Sequence, residues 1–206
     1  MKKIIIVDYG MGNLWSVVNA LKYLEADCVV SNRPDLIKNA DTIILPGVGS
    51  FKNAIAALRQ KSLIDPLREA VEVKKRKILG ICLGFQLMTE SSSEDGYTAG
   101  LNFINGNVKR FESDEMRGEK VPHIGFNRVN MPNNEGIFLN FGKKADFYFV
   151  HSYRLIPHQL SGQIATCNHG IKFVAAYQNE NIFGTQFHPE KSQTNGLILL
   201  RNFLAI

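Results

Sequence analysis

The sequence predicts an α/β fold: an open, mostly parallel sheet flanked by helices and extended by antiparallel strands in the C-terminal half. Short apolar runs alternate with helical patterns through the first 81 residues, which is typical of a parallel sheet. From about residue 101, short strand-like segments follow one another with turn residues between them. With no repeat or linker in the sequence, we expect one domain over 1–206.

The first half contains four predicted strands, each a short, mostly apolar run, and the first and third are of the kind that is buried in a sheet. They are KIIIVD at 3–8, CVVS at 28–31, TIILPG at 42–47 and KILGI at 77–81. The connections are helical: one helix capped by Asn13, one from Pro34 to Ala40, and further helical segments through about Glu72. In such a sheet a ligand binds at the carboxyl ends of the strands.

The second half is predicted to consist of β-hairpins followed by a C-terminal helix at 195–205. The predicted strand segments are NVKRF, HIGFNRVNM, DFYFVHSY, QIATCNHG, KFVAAYQ and IFGTQFH.

Composition excludes several classes of protein. No apolar run reaches the ~20 residues of a membrane span. The N-terminal apolar stretch ends at Asp8 and is too short for an export signal, so we expect a cytoplasmic protein. Cys28, Cys82 and Cys167 form no CxxC pair, which argues against disulfides and structural zinc. The net charge is +5, but the basic residues are scattered apart from KKRK at 74–77, so we expect no nucleic-acid partner.

The segment GICLG at 80–84 has the form of a nucleophile elbow, with cysteine in place of serine. Small flanking residues permit a sharp turn from strand to helix, and this turn lifts the Cys82 side chain out of the sheet. The helix N-terminus favours a negatively charged sulfur, and the N–H of Leu83 is placed to hold an oxyanion. A buried structural cysteine fits the same spacing, as we expect for Cys28 and Cys167.

Two other segments offer what an elbow cysteine needs. In PGVGSF at 46–51, the N–H of Val48 or Gly49 is a second candidate oxyanion donor, a plain turn being the alternative. In FHPEKS, His188 and Glu190 are two residues apart, so their side chains lie on the same side of an extended segment. A carboxylate in that position orients an imidazole, whereas a metal-binding pair is the alternative reading.

The other histidines are weaker candidates. His151 and His123 either line a site or simply end strands, and His158 and His169 are expected to be exposed. The segment DYGMGN at 8–13 has an incomplete dinucleotide-binding glycine pattern.

Together, PGVGSF, GICLGFQLM and TQFHPEKS, in this order on a parallel-sheet core, resemble the class I (triad) glutamine amidotransferases. The segments DYGMGN, VPHIGFN, YFVHSYR and GLILLRNF are similar, more narrowly, to the glutaminase subunits of imidazole glycerol phosphate synthases. The resemblance runs essentially from end to end. It implies glutamine as the substrate, no cofactor and no metal.

The resemblance also implies residue roles. Cys82 is the nucleophile, His188 the general base and acid, and Glu190 its orienting partner. The oxyanion hole is implied at the backbone of Val48, Gly49 and Leu83. The implied glutamine pocket consists of Gly47, Gln86, Glu94, His151, Ser152 and Tyr153.

A partner is implied too, because ammonia is mostly protonated in neutral water and must reach its acceptor directly. In the family the partner is a (β/α)₈-barrel cyclase, and the pair makes imidazole glycerol phosphate and an aminoimidazole carboxamide ribotide in histidine biosynthesis. The residues expected to face it in a heterodimer are Asn13, Phe126, Tyr148 and Lys191.

One position departs from the family pattern: Phe126 stands in HIGFN where the family usually has tryptophan. This favours, as an alternative, a paralogous subunit that supplies ammonia to a synthase amidating a surface-polysaccharide sugar. Two other classes remain: a catalytically idle scaffold subunit, and a cysteine hydrolase acting on peptides or aldehydes.

Overall fold

A computed structural model describes residues 3–206 and has the predicted α/β architecture. Its main sheet has nine strands in the order β2 (Cys28–Ser31), β1 (Ile4–Val7), β3 (Thr42–Gly47), β4 (Lys77–Cys82), β13 (Ile182–Thr185), β12 (Ile171–Asn179), β11 (Gln163–His169), β8 (His123–Asn130) and β9 (Lys144–His151). Strands β2, β1, β3, β4 and β13 are parallel, and the remaining strands pair antiparallel. The prediction of a parallel core with an antiparallel extension is therefore confirmed.

Strand β13 joins the two parts of the sheet. It pairs antiparallel with β12, as the hairpin pattern predicts, but it also pairs parallel with β4. Because Thr185 lies opposite Ile81, the chain that follows β13 emerges beside the chain that follows β4. The same edge receives the loop after β3, since Gly47 lies opposite Cys82. Three loops therefore meet at the carboxyl ends of the parallel strands.

A second, smaller sheet was not predicted. Its four strands, in sheet order, are β10 (Tyr153–Pro157), β7 (Ile104–Arg110), β5 (Thr89–Ser92) and β6 (Thr98–Ala99). The predicted strand DFYFVHSY is consequently divided: β9 ends at His151 and β10 begins at Tyr153. Ser152 is thus the point where the chain passes from one sheet to the other.

Helices cover both faces of the main sheet. They are α1 (Leu14–Tyr23), α2 (Pro34–Lys38), α3 (Phe51–Gln60), α4 (Ile64–Arg68), α5 (Leu83–Leu87) and α6 (Gln193–Ala205). Helices α1 and α6 pack on one face and α2–α5 on the other. Strand β1 contributes to the core on both faces of the sheet: Ile4 and Ile6 belong to one cluster, and Ile5 and Val7 belong to the other. Burial of each such side chain contributes roughly 1.5–3 kcal/mol.

Within residues 3–206, none of the helices has the length and apolar character needed to cross a membrane.

Candidate active site

The junction of β4 and α5 forms the predicted elbow. Cys82 is the last residue of β4, has a φ of 53° and is followed directly by α5. The flanking glycines are required by close packing: a Cβ at Gly80 would lie 2.7 Å from the Phe85 backbone, and one at Gly84 would overlap the Leu45 carbonyl oxygen. The sulfur-bearing residue is thereby held at the sheet edge, with only 6% of its surface exposed.

The loop after β13 brings a buried acid–base pair to Cys82. Nδ1 of His188 lies 2.7 Å from Oε1 of Glu190, and the two side chains are 3% and 2% exposed. A carboxylate accepts, so Nδ1 carries the proton of this hydrogen bond. Among residues 3–206, Nε2 of His188 has no hydrogen bond of standard geometry, and the polar group interacting with the imidazole besides Glu190 is the Cys82 thiol.

The charge state of His188 follows from these neighbours. Burial lowers the pKa of His188 and is the largest single influence on it. Hydrogen bonding and charge from Cys82 and Glu190 together outweigh burial and raise the pKa well above its ordinary value. His188 therefore carries a proton at neutral pH, as an acid that protonates a leaving nitrogen must.

The backbone of His188 is fixed to the edge strand β9. Its N–H donates to the Tyr148 carbonyl oxygen at 2.9 Å. The Ser192 hydroxyl donates to the His188 carbonyl at 2.6 Å and accepts from the Tyr148 N–H at 3.0 Å. The position of the imidazole is consequently set by β9 as well as by its own loop.

A cavity of about 230 Å³ opens beside Cys82. Its lining residues are Val48, Gly49, Cys82, Leu83, Gln86, Glu94, Val150, His151, Ser152 and Tyr153. All of these except Val150 are residues that the sequence predicts for the site. Gly47, predicted for the pocket, does not line it: it ends β3 opposite Cys82, and a Cβ there would overlap the Tyr9 hydroxyl.

The predicted oxyanion donors border this cavity. Leu83 is the first residue of α5, so its N–H has no acceptor within the helix. Gly49 has a φ of +101°, which glycine adopts readily, and lies with Val48 in the exposed loop after β3. The start of this loop is held by the buried Tyr9, whose hydroxyl donates to the Pro46 carbonyl at 2.8 Å.

Two polar side chains of the pocket are held in place by hydrogen bonds. Nε2 of Gln86 donates to the Tyr153 carbonyl at 3.1 Å and to Oε1 of Gln186 at 3.0 Å. Oε2 of Glu94 accepts from the Phe51 N–H at 2.7 Å. Burial raises the pKa of Glu94, although the Phe51 hydrogen bond opposes this.

Gln186 is a site residue that sequence reasoning missed. Its side chain is fully buried, and its Nε2 donates to the Cys82 sulfur at 3.8 Å. Its place two residues before His188 was a partial signal. The prediction of an extended segment here is wrong, however, because the chain bends at 186–187 and Pro189–Lys191 form a 3₁₀ helix, and this turn brings Glu190 to His188.

A cluster of three histidines adjoins the pocket. His123 lies opposite His151 in the β8–β9 pairing, and its ring stacks on His169 with centroids 4.0 Å apart. The expectation that His169 is exposed is therefore wrong, since its side chain is 11% exposed. His158 is exposed, as expected. Burial, reinforced by histidine neighbours, lowers the pKa of His123 to about 4 and that of His151 to about 3.

These shifts predict a loss of stability in mild acid. Below an ordinary histidine pKa of about 6.5, the unfolded chain binds protons at positions 123 and 151 that the folded chain does not bind. Their contribution is complete above that pH and is lost as the pH falls through the folded values. His188 acts in the opposite direction, because its raised pKa contributes stability that is present in acid and lost as the pH rises through the folded value.

We expect the two lowered groups to outweigh His188, so that the free energy of unfolding falls by roughly 2 kcal/mol between about pH 7.5 and about pH 5. Urea unfolding at the two pH values measures this. The His123→Phe variant removes one of the titrating groups and should lose less. Equal free energies of unfolding at both pH values in the wild type would contradict the prediction.

Three of the residues expected to face a partner, Phe126, Tyr148 and Lys191, lie close together. Asn13 is exposed and caps α1, its Oδ1 accepting from the Ser16 N–H at 3.3 Å. Phe126 is 51% exposed on β8, and its ring meets that of Tyr148 on β9 at 5.6 Å. Nζ of Lys191 lies 6.0 Å from the Tyr148 ring centre.

Within residues 3–206, no group of three or more histidine, cysteine, aspartate or glutamate side chains is arranged to hold a metal ion.

Comparison of the sequence with known proteins identifies the family of this chain. The sequence matches the family described as "Glutamine amidotransferase class-I" over residues 5–206. It is 45% identical to the imidazole glycerol phosphate synthase subunit HisH of Moorella thermoacetica, covering 98% of this chain and 94% of the relative. It is 40% identical to subunit HisH 2 of Pseudomonas aeruginosa, covering 98% and 99%.

Solved structures share the fold at low identity. PurLQS from Thermotoga maritima superposes with a TM-score of 0.74 at 19% identity, covering 99% of this chain and 98% of that one. A glutamine amidotransferase structure superposes with a TM-score of 0.76 at 16% identity, covering 98% and 97%. With its elbow cysteine, its buried His–Glu pair and this similarity over its whole length, the chain belongs to the class I glutamine amidotransferase family.

Proposed function

We propose that this chain is the glutaminase subunit of an imidazole glycerol phosphate synthase, and that it forms one catalytic domain over 1–206. It hydrolyses glutamine to glutamate and ammonia and passes the ammonia to a (β/α)₈-barrel cyclase subunit in histidine biosynthesis. Relatives that carry the synthase subunit's name at 40–45% identity over nearly the whole chain support this assignment. We further propose that the heterodimer works in the cytoplasm without cofactor or metal.

The observation that carries the proposal is the meeting of Cys82 with the buried His188–Glu190 pair beside a small cavity. Cys82 reacts as a thiolate beside the protonated His188: its sulfur attacks the side-chain amide carbon of glutamine, and the new S–C bond leaves negative charge on the amide oxygen. The N–H of Leu83 and the Val48–Gly49 backbone stabilise that oxygen. His188 gives its proton to the departing nitrogen, which leaves as ammonia.

The second half-reaction releases glutamate. His188, now neutral, takes a proton from a water molecule, whose oxygen attacks the γ-glutamyl thioester. The S–C bond breaks and the sulfur is regenerated, with Glu190 stabilising the imidazolium that forms. In the pocket, the Glu94 carboxylate is suited to the α-ammonium group of glutamine, and Gln86 to its polar backbone groups.

Partner docking is proposed at the surface formed by Asn13, Phe126, Tyr148 and Lys191. The exposed Phe126 and the half-buried Tyr148 form an aromatic pair of the kind enriched at protein interfaces. The Tyr148 backbone also holds His188, so this surface lies directly behind the acid–base pair.

A second candidate function has a specific observation in its favour. Phe126 replaces the family's usual tryptophan on the proposed docking surface, which fits a paralogue serving a synthase that amidates a surface-polysaccharide sugar. Overall similarity favours the first candidate, because relatives named HisH 1 and HisH 2, at 44% and 45% identity, both carry the name of the imidazole glycerol phosphate synthase subunit.

Glutamate release by the purified chain, alone and with each candidate synthase, tests the proposal. We expect little release alone and strong stimulation by the histidine-pathway cyclase with its acceptor nucleotide. Stimulation by the sugar-amidating synthase instead would favour the second candidate. No glutamate release with any partner and acceptor would contradict a glutaminase and indicate a scaffold. Labelling of Cys82 by peptide or aldehyde electrophiles but not by glutamine analogues would indicate a different hydrolase.

A further inference from the structure

A chain of hydrogen bonds runs from the surface of β8 to the wall of the pocket. It begins at Asn127, passes through His123 and His151, and ends at the Tyr153 carbonyl oxygen. The strand pairing builds it, because His123 lies directly opposite His151 and Asn127 follows His123 on the same face of β8. Both histidines are almost fully buried, at 3% and 6% exposed.

The direction of each hydrogen bond is determined from the pocket outward. The Tyr153 carbonyl can only accept, so Nδ1 of His151, 2.8 Å away, carries a proton. Burial, the largest influence, lowers the pKa of His151 to about 3, so the ring is neutral and Nε2 is bare. Nε2 therefore accepts from Nδ1 of His123 at 3.0 Å.

The outer end is determined by the same reasoning. His123 is also neutral near pH 7, so its Nε2 accepts from Nδ2 of Asn127 at 3.2 Å. The amide of Asn127 is held in that orientation from both sides. Its Oδ1 accepts from the Arg128 N–H at 2.7 Å, and its Nδ2 also donates to the Asn168 carbonyl at 3.1 Å.

The inner end reaches the pocket at a shared acceptor. The Tyr153 carbonyl accepts from Gln86 as well as from His151, and all three residues line the pocket. Tyr153 follows Ser152, where the polypeptide passes from one sheet to the other. Because its carbonyl oxygen accepts from both Gln86 and His151, the orientation of this carbonyl group affects both side chains in the pocket wall. A substitution at His123 would therefore affect Tyr153 and Gln86 through His151, although His123 contacts neither of them directly.

We propose that His123 is a positioning residue for the substrate pocket: by donating to His151, it fixes the tautomer of that ring and the Tyr153 carbonyl against which Gln86 is held. His123 does not line the pocket and does not contact the acid–base pair. The inference rests on the proposed function in that the pocket is taken to bind glutamine. It assigns ground-state binding, rather than the chemical steps, to this chain of hydrogen bonds.

Two substitutions at position 123 separate this role from simple packing. The His123→Phe variant keeps a ring to stack on Phe149, whose centroid lies 4.6 Å away, but removes the donor. The His123→Asn variant keeps an N–H donor close to the position of Nδ1. The matched control is His169→Phe. His169 stacks on the His123 ring but takes no part in the chain of hydrogen bonds, because it donates to the Lys120 carbonyl at 2.8 Å.

Steady-state glutamine hydrolysis by the complex with the cyclase and its acceptor nucleotide gives the test. For His123→Phe we expect KM for glutamine to rise about tenfold while kcat stays within about twofold, as loss of ground-state binding requires. We expect His123→Asn to recover most of the KM, and His169→Phe to leave it unchanged. An unchanged KM in His123→Phe, an equal rise in His169→Phe, or no recovery in His123→Asn would overturn the proposal.

A second measurement holds even where a variant does not fold or the wild type does not hydrolyse glutamine. Imidazole ¹⁵N spectra of the wild-type chain should show both His123 and His151 neutral and protonated at Nδ1. Protonation of either ring at Nε2 would overturn the proposal. Absence of glutaminase activity in the wild-type complex would instead refute the proposed function, leaving the spectra to decide whether the chain of hydrogen bonds exists.

Discussion

Replacing Cys82 with serine is expected to lower kcat for glutamine hydrolysis by about 10⁴-fold or more. The elbow, the oxyanion donors and the pocket are untouched by the exchange of one atom, so the loss reports the nucleophile alone. A serine hydroxyl is a far weaker nucleophile than a thiolate, and the acid–base pair is built around a sulfur. The measurement is glutamate release by the complex with its partner.

The matched control is Cys28→Ser, because Cys28 is a half-buried thiol at the start of β2, far along the sheet from the site. It should keep wild-type kcat. An electrophilic glutamine analogue should label the wild type and the control but not Cys82→Ser. If Cys82→Ser retained more than about one tenth of the activity, a nucleophilic Cys82 would be ruled out.

Replacing Gly84 with alanine is expected to lower the free energy of unfolding by roughly 3 kcal/mol or more. The added methyl group would overlap the Leu45 carbonyl oxygen, which belongs to β3 and cannot move away without disturbing the sheet. Helix α5 would be pushed outward, taking the Leu83 N–H away from the site. Urea unfolding measures the loss of stability, and glutamate release measures the loss of activity.

Gly96→Ala is the control for the glycine substitution itself. Gly96 has a φ of +93° in an exposed loop, and a Cβ there meets nothing within 4 Å. Its cost should be the backbone strain alone, roughly 1–2 kcal/mol. If the two variants were equally stable, close packing of α5 on β3 could not be the reason for glycine at 84.

The parallel core was predictable because its strands carry their signal locally. Strands β1, β3 and β4 are apolar over most of their length and are buried on both faces of the sheet, whereas the edge strand β2 exposes Val29 and Val30. In the smaller sheet, β7 includes most of the predicted strand NVKRF, but two other strands were not predictable: β5 reads TESS and β6 only TA, so tertiary pairing rather than composition makes them strands. The parallel pairing of β13 with β4 could not be predicted either, because hydrophobic periodicity identifies a strand but not the strands that pair with it.

The site shows the same division. The elbow glycines and the spacing of His188 and Glu190 are local patterns, and the structure brings these residues together. Gln186 was not predicted because an amide has no distinctive chemistry in a sequence, although it lies only two residues before His188. The contact of His123 with His151 depends on the β8–β9 register, which spans 28 positions of the chain and follows from the folded pairing alone.

The φ of 53° at Cys82 has a consequence for how stable this chain can become. A residue with a side chain in such a backbone region costs on the order of 1–3 kcal/mol, and glycine would remove most of that cost. The nucleophile must nevertheless carry a side chain, so this cost persists for as long as the sulfur is needed. Part of the free energy gained by packing α5 against β4 is thus offset by the backbone strain at Cys82. At position 82, glycine would favour stability and cysteine is needed for catalysis, and the chain has cysteine.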